Sequence, residues 1–406
     1  MLIVGAGPAG AGLALLLARR GVRVTLIEAS TRMDRQFRGE ALMPHGLAAL
    51  EAMGLTTLVE SLPHRALAGW RFVLDGGDLF RIAEPLEGPG EPACTLVSQP
   101  ALLQALLLEL QRHPSATVLL GHRVNGLCRQ AQRIVGVQLA DGSELRAELV
   151  VGCDGRHSTL RQQAGLALAP GGGEIGVLWF RLPAQGPDPL GGDFLTAVGE
   201  QGIFSAFASA SGAMQLGWVP EGGGLGDAGA GTGWLERLAG QSPPELALWL
   251  RQHSGDMPDP VRLQVSVGLA ERWWCPGLLL LGDAAHPMSP VRAQGINLAL
   301  RDAWLAGQLL LEVLQQAPDA EAPDAEAMDP EAIDAVLARI EARRRPEVVT
   351  VQRLQARETS RGLLLRRHAW LRRGLIAAAP WLAPALAAHW RHSQHQLRQG
   401  TGPLGG

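Results

Sequence analysis

The first 28 residues alternate between apolar runs and a glycine-rich turn. Leu2–Val4 is a short apolar run, glycines recur through residues 5–10, and an apolar stretch then continues until Gly21, which stands where helices commonly end. A second apolar run at residues 22–27 ends at Glu28. This order predicts a strand, a tight turn, a helix and a parallel strand.

Apolar and alternating runs continue along the rest of the chain. Strand-like runs lie at residues 71–74, 118–120, 134–139, 149–151, 175–182, 202–206, 213–219 and 262–268. Few helical segments separate the runs between 175 and 268, which predicts an antiparallel sheet distinct from the parallel one. Helical periodicity marks residues 99–112 and 294–315. A duplicated Pro- and acid-rich hexapeptide at residues 317–327 predicts a surface loop.

Composition and charge narrow the function classes. With 406 residues the chain is long enough for two domains. Its net charge of −3 leaves no basic excess with which to bind nucleic acid. The four cysteines are scattered without the spacing of a zinc site or a disulfide framework, so we expect no metal. The chain contains no Lys and no Tyr, which excludes any mechanism that needs either side chain.

The glycine turn reads Gly5-Ala6-Gly7-Pro8-Ala9-Gly10, the spacing of a dinucleotide-binding turn. Gly5 would permit the tight turn, Gly7 the approach of a pyrophosphate, and Gly10 the packing of helix on strand. Glu28, at the end of the second strand, can accept hydrogen bonds from ribose hydroxyls. Residues 224–229 repeat the spacing but follow no strand, so we interpret them as a loop. The turn alone fits NAD as well as FAD.

Two further motifs place glycines and acidic residues directly after apolar strands. They include the runs Val150-Val-Gly-Cys-Asp154-Gly155, Gly282-Asp283-Ala-Ala-His286-Pro287 and Gln294-Gly295-Ile296-Asn297. Ser158 is suited to cap the short helix after the first run. The last run begins a helix, whose free N–H groups stabilise negative charge such as that of a reduced flavin. We expect His286 to shape the turn beside a cofactor.

The three motifs, in this order and spacing, resemble the FAD-dependent aromatic hydroxylases of the p-hydroxybenzoate hydroxylase type. The resemblance implies an α/β fold with a Rossmann-like FAD-binding domain, an inserted antiparallel-sheet substrate domain and a C-terminal helical segment. The expected FAD-binding domain comprises residues 1–65, 96–165 and 271–345. The substrate domain would comprise residues 66–95 and 166–270, and the helical segment residues 346–406.

The same resemblance implies a set of FAD-binding residues. They are Gly5, Gly7, Pro8, Ala9, Gly10, Glu28, Arg38, Gln99, Asp154, Gly282, Asp283, Gly295, Ile296 and Asn297. Glu28 would bind the adenosine ribose and Asp283 the ribityl chain. Arg38 and Gln99 would lie near the phosphates, and Asp154 would support both FAD and the approach of NAD(P)H. The three residues after Gln294 would hold the pyrimidine edge of the isoalloxazine.

The resemblance also implies a reaction. NADPH or NADH would bind transiently and reduce FAD, since the chain carries only one credible dinucleotide fingerprint. The reduced flavin would capture O2 as a C4a-hydroperoxide and hydroxylate an aromatic, quinol-like or polycyclic small molecule, while the protein excludes water. Two alternatives stay open, a flavin-dependent reductase or cyclase of a polyprenyl substrate and a non-catalytic flavin-binding protein.

Candidate residues around the reaction come from two regions. Three precede or begin the helix at 294 and are candidates for catalysis: Pro290, Arg292 and Gln294. Five lie on the predicted antiparallel sheet and are candidates for substrate binding: Trp179, Arg181, Phe204, Phe207 and Trp218. Ordinary strand packing explains such side chains equally well. Phenol-activating members of the family use Tyr to deprotonate the substrate, a mechanism that a chain without Tyr cannot share.

The C-terminal segment has a composition of its own. Residues 363–390 combine Leu with three Trp and four Arg, which resembles an interfacial amphipathic pattern. A helix packed on the enzyme's own surface or on a partner subunit explains the pattern equally well. We expect no signal peptide, because the sequence opens directly into the first strand, and no membrane span, because no uninterrupted apolar run reaches ~18 residues. We therefore expect a cytoplasmic monomer or homodimer, with peripheral membrane contact left open.

Overall fold

The computed structural model describes residues 1–33, 40–184, 186–220, 233–253, 255, 259–314 and 329–402. Arg38, the second glycine pattern at 224–229 and the acid-rich duplication at 317–327 therefore lie outside the described residues.

The strands of the described residues are β1 (Leu2–Val4), β2 (Val24–Glu28), β3 (Ala41–Leu42), β4 (His64–Ala66), β5 (Gly69–Leu74), β6 (Gly77–Ala83), β7 (Thr95–Val97), β8 (Ala116–Leu120), β9 (Val124–Gln130), β10 (Arg133–Leu139), β11 (Glu144–Arg146), β12 (Val150–Gly152), β13 (Leu168–Leu182), β14 (Asp193–Gly199), β15 (Gly202–Ala208), β16 (Met214–Pro220), β17 (Val261–Ala270), β18 (Trp274–Cys275) and β19 (Leu278–Leu280).

The helices connect these strands and extend the C-terminal end. They are α1 (Pro8–Ala18), α2 (Pro44–Ala52), α3 (Thr56–Glu60), α4 (Gln99–Leu110), α5 (Thr159–Gln163), α6 (Gly233–Ala239), α7 (Pro244–Gln252), α8 (Gln294–Leu314), α9 (Pro330–Arg367) and α10 (Ala369–Gln399). Single 3-10 turns occupy Gly282–Ala284 and Val291–Ala293. The predicted helices at 99–112 and 294–315 are confirmed to within two residues at each end.

The first sheet carries the cofactor motifs. Its strand order is β18-β19-β12-β1-β2-β8, and every pair is parallel except β18 with β19. The central strands β1, β12 and β19 are fully buried runs of apolar residues and glycine. A parallel sheet covered on both faces needs such continuous apolar strands. The glycine turn, Asp154 and Gly282 all follow the carboxyl ends of these strands, where ligands bind in open α/β sheets.

The second sheet confirms the expected inserted domain. Its order is β17-β13-β16-β15-β14-β5-β6, antiparallel throughout except that β14 runs parallel to β5. One face packs on α6 and α7, with Trp218, Leu238 and Leu246 in the shared core. The opposite face packs on the segment around β3 and on α10, with Met43, Phe207 and Trp390 in contact.

The C-terminal segment is a helical hairpin that joins the two sheets. Helix α9 runs without a break through residue 346, so the expected boundary between 345 and 346 falls inside a helix rather than between elements. Helix α10 packs along β6 through Ile376, while Leu397 near its end enters the core of the first sheet. Among the described residues, no helix is long and apolar enough to cross a membrane.

Candidate active site

The glycine turn has the geometry that its spacing predicts. Gly5 has φ +102°, and a Cβ there would lie 2.3 Å from the Cys153 carbonyl oxygen. A Cβ on Gly10 would lie 1.9 Å from the Gly5 carbonyl oxygen, so any side chain would separate helix from strand. A Cβ on Gly7, in contrast, would meet no atom within 4 Å. Gly5 and Gly10 are therefore needed for packing, whereas Gly7 borders open space at the N-terminus of α1.

Glu28 and Gln99 face the same open space. The Glu28 carboxylate accepts hydrogen bonds from the Ala6 and Ser30 N–H groups, each at 2.9 Å, which fixes it at the end of β2. A surface cavity above Gly7 is lined by both side chains and walled by Met33. The buried Gln99 Oε1 has no hydrogen-bond partner in the described part of the chain. A cradle with an open glycine, a fixed carboxylate and an unsatisfied amide fits the adenosine and phosphates of FAD.

Asp154 has a local structural role at the start of α5 that its sequence motif does not indicate. Its carboxylate accepts hydrogen bonds from the Ser158 hydroxyl at 2.5 Å and the Leu160 N–H at 3.1 Å. Ser158 in turn accepts from the Arg161 N–H, which confirms Ser158 as the cap of α5. Burial raises the pKa of Asp154, against these hydrogen bonds, which lower it. The carboxylate thus stiffens the strand end that packs on Gly5; its contact with FAD stays a prediction.

Asp283 and the start of α8 lie together, as the motifs predict. Gly282 adopts φ +59°, and a Cβ on Gly295 would lie 3.8 Å from the Asp283 Oδ1. The Asp283 side chain remains partly exposed, with Arg156 3.9 Å away. The first turn of α8 directs N–H groups without intrahelical partners toward this point. The arrangement fits the ribityl chain and the charged edge of a flavin.

Asn297 acts mainly through its side chain on the neighbouring segment. Its Oδ1 accepts from the Met43 N–H at 2.8 Å, and its Nδ2 donates to the Ala41 and Ala293 carbonyls at 3.0 and 2.8 Å. The two bonds with Ala41 and Met43 attach β3 to the start of α8, and the third holds the turn that precedes this helix. Any contact of residue 297 with a flavin would therefore use the backbone, and that role of Gly295, Ile296 and Asn297 stays a prediction.

A buried ionic network holds the turn that carries Asp283. Asp302 on α8 accepts hydrogen bonds from the Gly282 N–H at 2.9 Å, the His286 Nε2 at 2.6 Å and the Arg344 Nε at 2.7 Å. Burial alone would raise the pKa of Asp302, but the charges and hydrogen bonds of His286 and Arg344 lower it to about 2. His286 is itself buried and has the turn-shaping position expected for it.

The three residues proposed for catalysis are held by the C-terminal hairpin. The Arg292 guanidinium lies 5.1–5.3 Å from the ring centres of Trp70, Phe72 and Trp390, and its Nε donates to Glu358 at 2.9 Å. This aromatic and ionic enclosure favours a role for Arg292 in shaping the site over direct contact with the reacting atoms.

Gln294 and Pro290 complete that turn. The Gln294 amide nitrogen donates to the Arg292 and Leu397 carbonyls at 3.0 and 2.9 Å, which joins the start of α8 to the end of α10. Its Oε1 is buried without a partner among the described residues. Pro290 is exposed and immediately precedes the 3-10 turn that contains Arg292. A direct part in catalysis for any of the three stays a prediction.

One row of side chains crosses the second sheet on the face toward β3, and we call it the aromatic row. Its members, from β13 to β5, are Arg181, Gln215, Phe207, Phe194 and Trp70. The Phe194 ring lies 5.2 Å from Phe207 and 5.0 Å from Trp70. Trp179, two residues before Arg181 on the same face, donates its indole N–H to Gln215 at 2.8 Å.

The other two substrate candidates, Phe204 and Trp218, lie on the opposite face of the second sheet. Phe204 and Trp218 are cross-strand partners, both fully buried in the core that β15 and β16 share with α6 and α7. Side chains alternate between the faces of a strand, so Phe204 cannot share a face with Phe207, three residues away. Phe204 and Trp218 therefore face the core shared with α6 and α7, away from the segment around β3, which speaks against their contact with substrate; Trp179, Arg181 and Phe207 face that segment and remain candidates.

Glu40 is the site residue that sequence reasoning missed. It directly precedes β3, whose Ala41 carbonyl is bound by Asn297, and its carboxylate Oε1 lies 3.5 Å from the Gln215 amide nitrogen. The Glu40 Oε2 is buried and accepts no hydrogen bond within the described residues. Burial raises the pKa of Glu40 to about 7, although the charge of Arg181 lowers it. An unsatisfied carboxylate thus stands between the start of α8 and the aromatic row.

Known proteins resemble this chain in sequence and in fold. Residues 1–197 and 252–327 match the family model described as an FAD binding domain. The chain is 37% identical to 6-methylpretetramide 4-monooxygenase of Streptomyces rimosus over 370 residues, which cover 88% of this chain and 82% of that protein. It is 30% identical to ubiquinone hydroxylase UbiL of Rhodospirillum rubrum, over 99% of this chain and 91% of that protein. The structure of p-nitrophenol 4-monooxygenase PnpA from Pseudomonas putida DLL-E4 has the same fold, with a TM-score of 0.74 at 17% identity over 98% of this chain and 97% of that chain.

These matches confirm FAD as the cofactor and a monooxygenase reaction, with O2 and a small molecule as its substrates. The relatives named above are monooxygenases and a hydroxylase, so they give no support to a polyprenyl reductase or a non-catalytic flavin carrier. The glycine turn, the Asp283 turn and the start of α8 would form the cradle for this cofactor, and that assignment stays a prediction. The chain belongs to the family of FAD-dependent monooxygenases built on this FAD-binding domain.

Proposed function

We propose that the enzyme uses NADPH or NADH to hydroxylate an aromatic, quinol-like or polycyclic small molecule held between the aromatic row and the start of α8. One observation carries the proposal. The unsatisfied Glu40 carboxylate oxygen lies beside Gln215, at the junction of the aromatic row with the segment that Asn297 attaches to α8. Flat rings favour stacking on aromatic side chains, and a ring hydroxyl would satisfy the carboxylate.

Glu40 would handle the substrate's proton. A ring hydroxyl placed against its Oε2 would give its proton to that oxygen, which leaves negative charge on the substrate oxygen and enriches the ring carbons ortho and para to it. A base is most effective when its pKa lies near the working pH, and burial brings Glu40 close to neutrality. The carboxylate would thereby supply the proton acceptor that a chain without Tyr needs.

The cofactor-binding residues expected from the sequence form two groups, one for each end of FAD. Gly7, Glu28 and Gln99 would hold the adenosine ribose and the phosphates, while Asp283 and the N–H groups of Gly295 and Ile296 would hold the ribityl chain and the flavin edge. When bound and reduced by NAD(P)H, FAD supplies the activation of O2. Overall, substrate, O2, NAD(P)H and one proton would give hydroxylated substrate, NAD(P)⁺ and water.

The substrate class also follows from the relatives. The names of two of them specify a 6-methylpretetramide and a ubiquinone. The aromatic row itself spans four neighbouring strands from β16 to β5 beside its terminal Arg181, a breadth of about 15 Å at ~4.8 Å between strands. Because Trp70 and Phe207 in this row are themselves buried, a large flat substrate would contact the row through the partly exposed Phe194 and the exposed Arg181.

Oxygen uptake tests the function. The holoenzyme would be supplied with NADPH or NADH and a panel of phenols, quinols and polycyclic aromatic compounds. We expect at least one compound to accelerate NAD(P)H oxidation and O2 consumption together, with one atom of labelled O2 recovered in the product. A product reduced without O2 consumption, or a panel without any stimulation of NAD(P)H oxidation, would contradict the proposal.

The variant Asp283→Ala tests the cofactor assignment separately. Loss of the carboxylate beside Gly295 should yield FAD-depleted, colourless protein, measured by the ratio of flavin to protein absorbance. The matched control is Glu51→Ala, an exposed acid on α2, which should be purified with its full yellow colour. A fully yellow Asp283→Ala protein would remove Asp283 from the FAD site.

A further inference from the structure

Helix α10 presents an apolar stripe to solvent. Trp370 and Trp381 are 71% and 78% exposed, and they lie eleven residues apart, which is three helical turns and therefore the same side of the helix. Ala377 and Ala388 are exposed on that side as well, so the stripe extends for about 27 Å at ~1.5 Å per residue. Single exposed apolar residues are common, but a continuous stripe with two exposed Trp marks an interaction surface.

The stripe is not the side by which α10 is anchored to the protein. Ile376 and Ala379 pack against Leu74 and Leu79 of the second sheet, and Trp390 packs on the aromatic side chains near Arg292. The side that carries Trp370 and Trp381 is therefore left over when the helix has made its internal contacts. Between Gly374 and Ala388 the helix contains no polar side chain at all.

The charge around the stripe has one sign. Residues 359–406 contain seven Arg and neither Asp nor Glu, in a chain whose net charge is −3. Arg372 and Arg398 are buried and paired with Asp75 and Glu84. The remaining five, which make no ion pair with any described residue, are Arg361, Arg366, Arg367, Arg373 and Arg391. Arg373 and Arg391 lie on α10 itself, and the other three lie in the last two turns of α9, just before α10 begins. An apolar stripe with two exposed Trp and unpaired cations nearby is complementary to an anionic lipid surface.

We propose that the outward side of α10 binds the surface of a membrane that contains anionic lipids. The apolar stripe would enter the boundary between headgroups and acyl chains, while the arginines would contact lipid phosphates. The uncharged stretch of fifteen residues is too short to cross the ~30 Å hydrocarbon core, so the helix lies in the plane of the surface. The proposal concerns where the enzyme is placed and is independent of the substrate proposed above.

A second copy of the chain fits the same surface poorly. Two copies joined through α10 would bring their unpaired arginines together with no acidic side chain from residues 359–406 to compensate them. Like charges facing each other across an interface destabilise it. An anionic bilayer supplies both the missing counter-charge and an apolar phase for the two Trp side chains.

Sedimentation with lipid vesicles tests the proposal on the full-length holoenzyme. We expect it to sediment with phosphatidylcholine vesicles that contain about one third phosphatidylglycerol, weakly with pure phosphatidylcholine, and less at high salt. Combined Trp370→Ser and Trp381→Ser substitutions should lower the partition coefficient about tenfold or more. Each Arg→Gln change at positions 366, 367 and 373 should lower it about fivefold.

Controls separate this result from misfolding and from self-association. Leu248→Ser on α7 removes another exposed apolar side chain, 58% exposed, that lies away from α10, and this variant should bind vesicles as the wild type does. All variants should retain FAD and NAD(P)H oxidation, because none alters the cofactor cradle. The proposal is overturned if the wild type does not bind anionic vesicles, or if the double Trp variant binds equally well. It is also overturned if Trp381→Ser only dissociates a dimer in sedimentation equilibrium without changing vesicle binding.

Discussion

Replacing the Glu40 carboxylate by a neutral amide should make the protein more stable and less active at the same time. The pKa of Glu40 is raised from 4.5 to about 7, chiefly because burial penalises its charged form. Below pH 4.5 the carboxyl is protonated in both the folded and the unfolded protein, and the penalty is absent. Above pH 7 it is ionised in both, and the folded protein bears the whole penalty.

The size of the effect follows from that pKa. A rise of about 2.5 at ~1.36 kcal/mol for each pKa unit corresponds to at most about 3 kcal/mol. Part of the Glu40 side chain remains accessible to solvent, so screening should reduce the measured difference to roughly 1–2 kcal/mol. Glu40→Gln should therefore raise the free energy of unfolding by this amount at pH 8 and by little at pH 4.5.

Urea unfolding of FAD-saturated protein at both pH values gives the measurement, and the difference between wild type and variant cancels the titration of all other groups. Glu51→Gln, an exposed acid on α2, serves as the matched control and should change stability equally little at both pH values. If Glu40 also takes the substrate's proton, the variant should hydroxylate about 10²–10⁴-fold more slowly, with the rise of the wild-type rate through pH 7 abolished. A variant that is less stable than the wild type at pH 8 would refute the burial argument.

Three further variants test other parts of the site. Gly7→Ala should lose FAD absorbance and should unfold at the same temperature as FAD-free wild type, because its Cβ meets no protein atom within 4 Å but enters the space for the pyrophosphate; full FAD retention would contradict that placement. Asp302→Asn should lower the free energy of unfolding by about 3 kcal/mol in urea, because Arg344 loses one of its two buried carboxylate partners and keeps only Glu347; a loss below ~1 kcal/mol would mean that the network does not hold the turn. Phe204→Leu should lower the melting temperature and leave KM unchanged, whereas Phe207→Leu should raise KM. The reverse pattern would mean that substrate binds on the face of the sheet that carries Phe204.

The FAD-binding part of the candidate site could be predicted because its sequence motifs are local. The glycine turn lies between adjacent elements, and its conformational demands, such as φ +102° at Gly5, are met within one strand–turn–helix unit. The same holds for Gly282, whose positive φ ends β19, and for Ser158, which caps the next helix. Such features depend on the order and spacing of residues, which the sequence displays directly.

The candidate substrate-binding part of the site could be predicted only in part, because its contacts join segments that are distant in the sequence. The Arg292 enclosure combines Trp70 with Trp390, and Glu40 meets Gln215, which lies 175 residues away. Nothing in the local pattern specifies such pairings. One signal was present, since two residues spaced by three in a strand must face opposite sides, so Phe204 and Phe207 could not both have lined the site.

The C-terminal hairpin belongs to the active site although the matched family region ends at residue 327. Arg398 is almost fully buried, pairs with Glu84 and Glu87 of the inserted domain, and accepts a hydrogen bond at its carbonyl from His45 of α2. The adjacent Leu397 carbonyl binds Gln294 at the start of α8. A buried charge of this kind is stable only with all its partners in place, so the end of α10, the inserted sheet and the cofactor helix must assemble together. The residues that close the site are therefore on the same helix whose outer side we propose to meet the membrane, which places the lipid surface and the aromatic row on opposite sides of one element.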